Sequence, residues 1–274
     1  MIYPLNQPHQ PVFSFADAEM GRLSNHFIKA IEKVSGQPRL KRIYNGYIED
    51  SLPACDFWLD ALERLGIEIN LKKEQEVSIP KTGPLLCVAN HPYGVIDGIV
   101  LCSLLSKVRQ DYRILTHRVL QATAVKDKIL PVSFDETPAA LQSNLETRAE
   151  ALRFLKAGEA IIIFPAGAIS LSKKIINSAF DAPWKTFAAK LALQPHTVTL
   201  PFFFEGKNSM LFQIARKFSQ TLGYALMFHE TCRLMGTTVE VWMRAPLNSE
   251  YLKTIGNRAD VTSYLRNRTY GFID

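Results

Sequence analysis

Long apolar runs are missing from these 274 residues. No stretch reaches the roughly 18 consecutive apolar residues that a membrane-spanning helix needs. The start of the chain carries neither the basic lead nor the apolar core of a secretory signal. The expectation is a cytoplasmic protein that rests peripherally on the inner face of a membrane without crossing it. Cysteine is scarce. The four, Cys55, Cys87, Cys102 and Cys232, are irregularly spaced in apolar surroundings, which argues against a disulfide framework or a zinc pattern and reads as reduced core thiols. Spaced metal ligands are lacking as well. His91 and Asp97 could hold an ion only with His117, or with His229 and Glu230, and no metal is expected. Neither a Gly-x-Ser-x-Gly elbow nor a comparably placed cysteine is present to act as a nucleophile. Glycine, proline and serine are scattered singly, so there is no flexible linker, and no internal repeat is visible.

Charge is biased toward the basic side, with a net of +6. Such a surface favours acidic lipid, an acidic carrier protein or nucleic acid. Aromatic and basic residues are not interleaved, and no helix-turn-helix or RNA-binding signature occurs, so nucleic acid is excluded as a partner. Lys107, Arg109, Arg113, Arg118, Lys126 and Lys128 form a basic stretch. It could dock an acyl carrier protein or the phosphates of coenzyme A, or simply keep the surface soluble.

The composition suits one mid-sized core with a smaller extension. Ser78-Ile79-Pro80-Lys81-Thr82-Gly83-Pro84 punctuates the chain, placing a boundary between an N-terminal helical extension over 1–79 and an α/β domain over 80–274. In the extension, Met20, Leu23, Phe27, Ile28, Ile31 and Val34 recur at helical spacing, as do Leu52, Phe57, Trp58, Leu62 and Leu65. These stripes can pack on the core. Alternatively, the second can lay Phe57 and Trp58 into a bilayer surface, flanked by Arg39, Lys41 and Arg42. Beyond Pro84, runs rich in Val, Ile and Phe alternate with amphipathic stretches, the rhythm of an α/β fold with a mostly parallel central sheet flanked by helices. Strands are expected at 85–89, 112–117, 129–132, 160–164, 197–203 and 238–243. Helices are expected at 98–107, 138–156, 184–193 and 209–220, with a last helical stretch over 251–255 and 258–269.

Chemistry concentrates after the first of these strands, in Asn90-His91-Pro92-Tyr93-Gly94-Val95-Ile96-Asp97-Gly98. An imidazole is a usable base near neutral pH, and a carboxylate on its other nitrogen fixes the tautomer and stabilises the imidazolium. Without a protein nucleophile, such a pair has to activate a hydroxyl brought by a substrate. A capping aspartate beside an ordinary turn histidine is the plainer reading. A second strand, Ala160-Ile161-Ile162-Ile163-Phe164, stops at Pro165-Ala166-Gly167. In an open α/β sheet the carboxyl ends of strands line the ligand crevice, so the two strand ends can meet at one site. Gly167 lets a backbone approach a ligand closely.

Together these two blocks resemble the glycerolipid acyltransferase superfamily, whose members acylate lysophosphatidic acid and related lysolipids. The spacing His-Pro-x-Gly-x-x-Asp-Gly is similar to a bacterial branch that includes lyso-ornithine lipid acyltransferases and so-called hemolysins. The likeness runs from about Pro80 to Pro246. It takes in Leu130-Pro131-Val132, Phe164-Pro165-Ala166-Gly167, Val198-Thr199-Leu200-Pro201 and Phe204-Glu205-Gly206-Lys207-Asn208-Ser209.

The resemblance implies transfer of a fatty acyl chain from a thioester, acyl-carrier protein or acyl-coenzyme A, to a lysolipid hydroxyl, with no cofactor. His91 would be the base and Asp97 its orienting partner. Asn90, Gly94, Gly98, Phe164, Pro165 and Gly167 would shape the pocket. Two departures bear on the acceptor: the family's Phe-Pro-Glu-Gly glutamate is Ala166, and the arginine expected after the middle strand is absent from 129–135. Losing that arginine weakens a phosphate-bearing acceptor and favours a lyso-aminolipid over a lysophospholipid. Lys173 and Lys174 could meet an acidic head group, or begin a solvated helix. A thioester hydrolase using the same pair on water, and a noncatalytic lipid-binding protein, are the alternatives.

Overall fold

In the computed structural model, residues 14, 22–50, 56–74, 76–117, 123–133, 137–173 and 177–273 are described. Three helices come first: α1 (Arg22–Val34), α2 (Gln37–Asp50) and α3 (Phe57–Leu65). Asp56 starts α3 by accepting the N–H groups of Trp58 at 2.9 Å and Leu59 at 3.3 Å. Next are β1 (Glu68–Lys73), β2 (Leu85–Ala89), α4 (Val95–Ser106), β3 (Tyr112–His117), a 3-10 turn at Thr123–Lys128 and β4 (Ile129–Val132). α5 (Pro138–Lys156) starts as its Thr137-Pro138 pair suggests: the threonine hydroxyl accepts from Ala140 N at 3.1 Å, and proline fills the first helical position. It leads into β5 (Ala160–Ile163), the two-residue β6 (Leu171–Ser172) and β7 (Ala179–Phe180), α6 (Phe187–Ala192) and β8 (Val198–Phe204). The chain ends with α7 (Met210–Phe218), α8 (Gln220–Ala225), α9 (Met227–Arg233), β9 (Thr238–Met243), β10 (Leu247–Asn248), α10 (Ser249–Ile255) and α11 (Arg258–Tyr270).

The main sheet runs β1-β9-β8-β2-β5-β3-β4, with β10 beside β8. β8, β2, β5, β3 and β4 are mutually parallel, whereas β9 is antiparallel to β8 and carries β1 parallel to itself. β2 is entirely buried, because both faces of the sheet are covered. Leu85, Cys87 and Ala89 point to a core shared with α3 and α4, and Leu86 and Val88 to one shared with α5, α6 and α11. Pro131 lies in β4, an edge strand that α5 covers through Thr147 Oγ1 to Pro131 O at 2.7 Å and a two-way Asn144 to Ser133 bond. Pro201 falls where β8 changes partners, between its pairing with β10 at Val198 and Thr199 and with β9 at Phe202 to Phe204.

The α/β class with a mostly parallel sheet is thus the observed one, but segment 1–79 is more than a helical extension. Its β1 pairs residue by residue with β9, and Trp58, Leu62 and Leu65 share a core with Leu85 and Cys87. Glu68-Ile69-Asn70-Leu71 alternates as a half-exposed strand should. Of the two readings of the second stripe, packing on the core is the one the structure shows for Phe57 and Trp58. Trp58 is buried, and the Phe57 ring stands edge-on to Tyr44, Tyr47 and Trp58 at centroid distances of 6.2, 5.1 and 5.0 Å. Several members of the basic stretch are likewise used internally. Arg109 is buried and bonds Asp111 and the carbonyls of Gly83 and Gly158, while Arg113 pairs with Glu159 at 3.2 Å. Arg118 lies outside the described residues.

Candidate active site

The carboxyl end of β2 sits between those of β5 and β8, with Val88 opposite Ile163 on one side and Pro201 on the other. Asn90, expected to shape a pocket, instead sews β2 to β8. Its buried amide accepts from Phe204 N at 2.7 Å and donates to Phe204 O at 2.9 Å. Tyr93 repeats the stitch one residue further on, donating to Glu205 O at 2.7 Å. It crosses Gly206 so closely that a Cβ there would fall 1.8 Å from the phenol oxygen. This contact explains the Phe204-Glu205-Gly206 block.

α4 begins at Val95, three residues before the expected Gly98, and so takes Asp97 into its first turn. There the carboxylate oxygen Oδ2 accepts the N–H groups of Tyr93 and Gly94, both at 2.9 Å. Gly94 has φ 76° and ψ −114°, a conformation open essentially to glycine, and this accommodates the extra residue between histidine and aspartate. The plain reading of Asp97 as a helix-start carboxylate is therefore correct as far as it goes. The same oxygen also lies 3.0 Å from His91 Nδ1, although the ring N–H is not aimed squarely along that line. Asp97 is fully buried, and loss of solvent pushes its carboxyl above the ordinary range, against the pull of His91 and the two N–H groups.

The imidazole stacks on Phe164, with centroids 4.0 Å apart and planes 25° from parallel. Its backbone is held on both sides: His91 N donates to Asp181 Oδ1 at 3.1 Å, and His91 O accepts from Ser170 N at 2.8 Å. Asp181 is itself caged. It accepts from Ser170 Oγ at 2.5 Å and Trp184 Nε1 at 2.7 Å, and its N–H donates to Tyr270 Oη at 2.8 Å. Burial pushes its carboxyl up as well, despite these donors. Sequence reasoning missed Asp181, which stands 90 positions from His91 with no local signal linking the two.

His91, Gly94, Gly98, Phe164, Pro165 and Gly167 all border one largely apolar cavity. Asn90 is not in its wall. Lys173 is exposed at the end of β6, where its carbonyl accepts from Lys217 Nζ at 3.4 Å, and it too is outside the wall. Lys174 lies outside the described residues. The cations that do border the cavity are Arg148 of α5 and Lys185, with His117 at the end of β3. A second, more apolar cavity lies among α2, α3, α4 and α9 and shares Val95, Gly98, Thr116 and Met227 with the first. Among the described residues, no three His, Cys, Asp or Glu side chains gather as metal ligands would.

Over 181 residues the chain is 30% identical to lyso-glycine lipid O-acyltransferase of Phocaeicola vulgatus, an alignment covering 64% of this chain and 58% of that protein. The chain thus spans less than two thirds of that relative's length. The crystal structure of the 1-acyl-sn-glycerophosphate (LPA) acyltransferase PlsC from Thermotoga maritima superposes with a TM-score of 0.47 at 15% identity, covering 93% of this chain and 82% of that one. Residues 42–273, which include both strand-end blocks, every cavity-lining residue named above, most of α2 and all of α3, match the family model described as Acyltransferase, and the chain belongs to that family.

Proposed function

We propose that the protein is an O-acyltransferase that moves a fatty acyl chain from a thioester, on acyl carrier protein or coenzyme A, to the hydroxyl of a lysolipid, with a lyso-aminolipid as acceptor. The observation that carries this reading is the His91–Asp97 contact at 3.0 Å on the wall of an apolar cavity that opens toward a second one. With Nδ1 turned to Asp97, Nε2 is the nitrogen left to take the acceptor's proton. The hydroxyl oxygen attacks the thioester carbonyl, the carbon–sulfur bond breaks, and the imidazolium returns the proton to the departing thiolate. A thiolate is a good leaving group, so positioning and one base suffice and no acyl-enzyme is required. The acyl chain lies in the second cavity, among the rings of α2 and α3. Similarity to the lyso-glycine lipid enzyme and the missing arginine after β4 favour an aminolipid acceptor.

Such a donor and a bilayer-resident acceptor place the protein on the cytoplasmic face of a membrane, in peripheral contact. The surface we assign to that contact is the outer side of α7, where Met210, Leu211, Ile214 and Phe218 are exposed.

The test supplies the purified chain with acyl-coenzyme A or acyl-carrier protein and a panel of lysolipids, and follows diacylated product by mass spectrometry. His91→Ala should lower turnover by about 10²- to 10⁴-fold while leaving the fold intact by circular dichroism. Full turnover by that variant would remove His91 from the mechanism. Thioester cleavage that does not rise when lysolipid is added would make the protein a hydrolase.

A further inference from the structure

We propose that Met227 is a specificity-determining residue for the acyl donor: its thioether arm is the movable wall of the passage between His91 and the second cavity, and it admits straight acyl chains while turning away those branched next to the carbonyl. This assignment rests on the acyltransferase reading above and deepens it by naming the class of donor. Among the described residues, Val95, Gly98, Thr116 and Met227 line both cavities, whereas His91 lines only the first and the rings of α2 and α3 only the second. A thioester with its carbonyl at His91 and its chain among those rings therefore runs past these shared residues.

Three of them form a stiff wall. Val95 and Gly98 belong to the start of α4 and Thr116 to β3. Valine and threonine carry two heavy atoms on Cβ and are restricted at χ1, and glycine has no side chain to move. Met227 comes from a different part of the fold. It opens α9 and belongs to a small separate core with Ile169, Phe212, Ala215 and Leu226. Its backbone is fixed, the carbonyl accepting from Thr231 Oγ1 at 2.8 Å. Its side chain is unbranched and apolar, held by contact alone and able to yield by rotating. The tip lies over the turn that joins His91 to Asp97: a Cβ built on Gly94 would fall 2.6 Å from Met227 Cε and 3.5 Å from its Sδ, with Ile169 Cδ1 at 3.2 Å. The arm thus covers the passage beside the histidine, where the first carbons beyond the thioester carbonyl would lie. A polymethylene chain slides along such an arm. A methyl branch at that level adds bulk where α4 and β3 cannot give way, and one methyl group more or less in an apolar pocket shifts selection by about 10- to 200-fold.

The experiment gives wild type, Met227→Ala, Met227→Leu and Val95→Ala one lysolipid and two acyl donors of equal length, one straight and one with a methyl group on the carbon next to the carbonyl, each as the coenzyme A and the acyl-carrier-protein thioester. Diacylated product is followed by mass spectrometry. Wild type should prefer the straight donor by about 10- to 200-fold in kcat/KM. Met227→Ala should cut that preference by about tenfold, and Met227→Leu, closer in volume, should keep most of it. Val95→Ala widens the same passage from α4 with Met227 in place and should cut the preference too. The readout is a ratio within one protein sample, so partial unfolding does not imitate it, and the intrinsic difference in reactivity between the donors is the same for every variant. A Met227→Ala protein that keeps the wild-type preference, or that loses turnover with both donors in equal proportion, would overturn the assignment while leaving the acyltransferase reading standing. Equal use of the two donors by wild type would do the same. Failure of wild type to acylate any lysolipid would sink both readings together.

Discussion

His91 is placed by its backbone as much as by its ring, and two buried acids act on it from different sides. Asp97 combines a structural and a chemical duty: the oxygen that starts α4 is also the one facing Nδ1. Asp97→Asn keeps an acceptor for the two N–H groups and loses the charge. Because burial raises the folded carboxyl above its ordinary 3.8, the charged form opposes folding. That cost is absent below 3.8 and grows in as pH rises through the raised value. The asparagine variant should therefore stay within about 1 kcal/mol of wild type at neutral pH, with its stability relative to wild type declining as the solution is acidified. Its turnover should fall by roughly 10²- to 10⁴-fold. Thermal melts across pH, paired with product formation, check both halves; unaltered turnover would reduce Asp97 to a helix cap.

Asp181 acts through His91 N and the Ser170–Trp184 cage rather than on substrate, and so it is a positioning residue. In Asp181→Asn an amide would meet a donor already in place, at a cost of about 1–3 kcal/mol. The expected signature is a lower kcat with little change in KM for either substrate. A variant that loses stability and keeps kcat would limit Asp181 to holding the loop together.

At the scale of elements, what could be read in advance followed from local pattern. β2, β3, β4 and β9 are apolar or alternating runs closed by turn residues, and Thr137-Pro138 starts α5 where a cap followed by proline should. β1 escaped because an edge strand with two apolar residues, Ile69 and Leu71, leaves too little pattern to separate from a loop. β6, β7 and β10, at two residues each, have no period at all. The histidine–aspartate pair was legible because its members are six positions apart on one turn. The Asp181 cage and the cavity-bordering Arg148 and Lys185 were not, because tertiary packing alone brings them to the site. Lys173 was singled out because it follows a motif in sequence, and a position in sequence does not fix a position in space.

α4 supports a prediction of its own. Gly98 borders both cavities, and a Cβ added there would make only an ordinary contact, 3.4 Å from Ile114 Cδ1. Alanine is therefore tolerated, whereas a longer side chain would enter the shared space. Gly98→Leu should fold, since leucine has high helix propensity, and should shift donor preference toward shorter acyl chains. Competition between long and short acyl-coenzyme A substrates measures this. A uniform loss across all lengths would place the acyl chain elsewhere.

For the molecule as a whole, the proposed activity raises the question of which face would meet lipid. The helix with the most prominent aromatic residues, α3, spends them on internal packing. α7 turns Phe212 and Ala215 inward and leaves Met210, Leu211, Ile214 and Phe218 exposed, Phe218 at 84%. Those four positions fall on one side of a 3.6-residue helix. Lys217 is exposed on the same helix, and its ammonium reaches the carbonyl of Lys173, so exposed cations stand beside the apolar stripe. That combination suits an anionic bilayer surface, where apolar burial and charge attraction add. α8 and α9, which supply Tyr224 and Met227 to the cavity wall, follow α7 in sequence, and α8 packs directly against it, so the proposed lipid-facing side adjoins the His91 cavity. Burying an apolar side chain completely is worth about 1.5–3 kcal/mol, so replacing Leu211 and Phe218 with serine should weaken sedimentation with anionic vesicles by at least about tenfold. The same change should move the melting temperature little, because Phe218 is almost wholly exposed and Leu211 is half exposed. Lys173→Gln with Lys217→Gln should flatten the salt dependence of vesicle binding and spare its apolar part. Undiminished sedimentation of the Leu211 and Phe218 variant would move the membrane contact to another face.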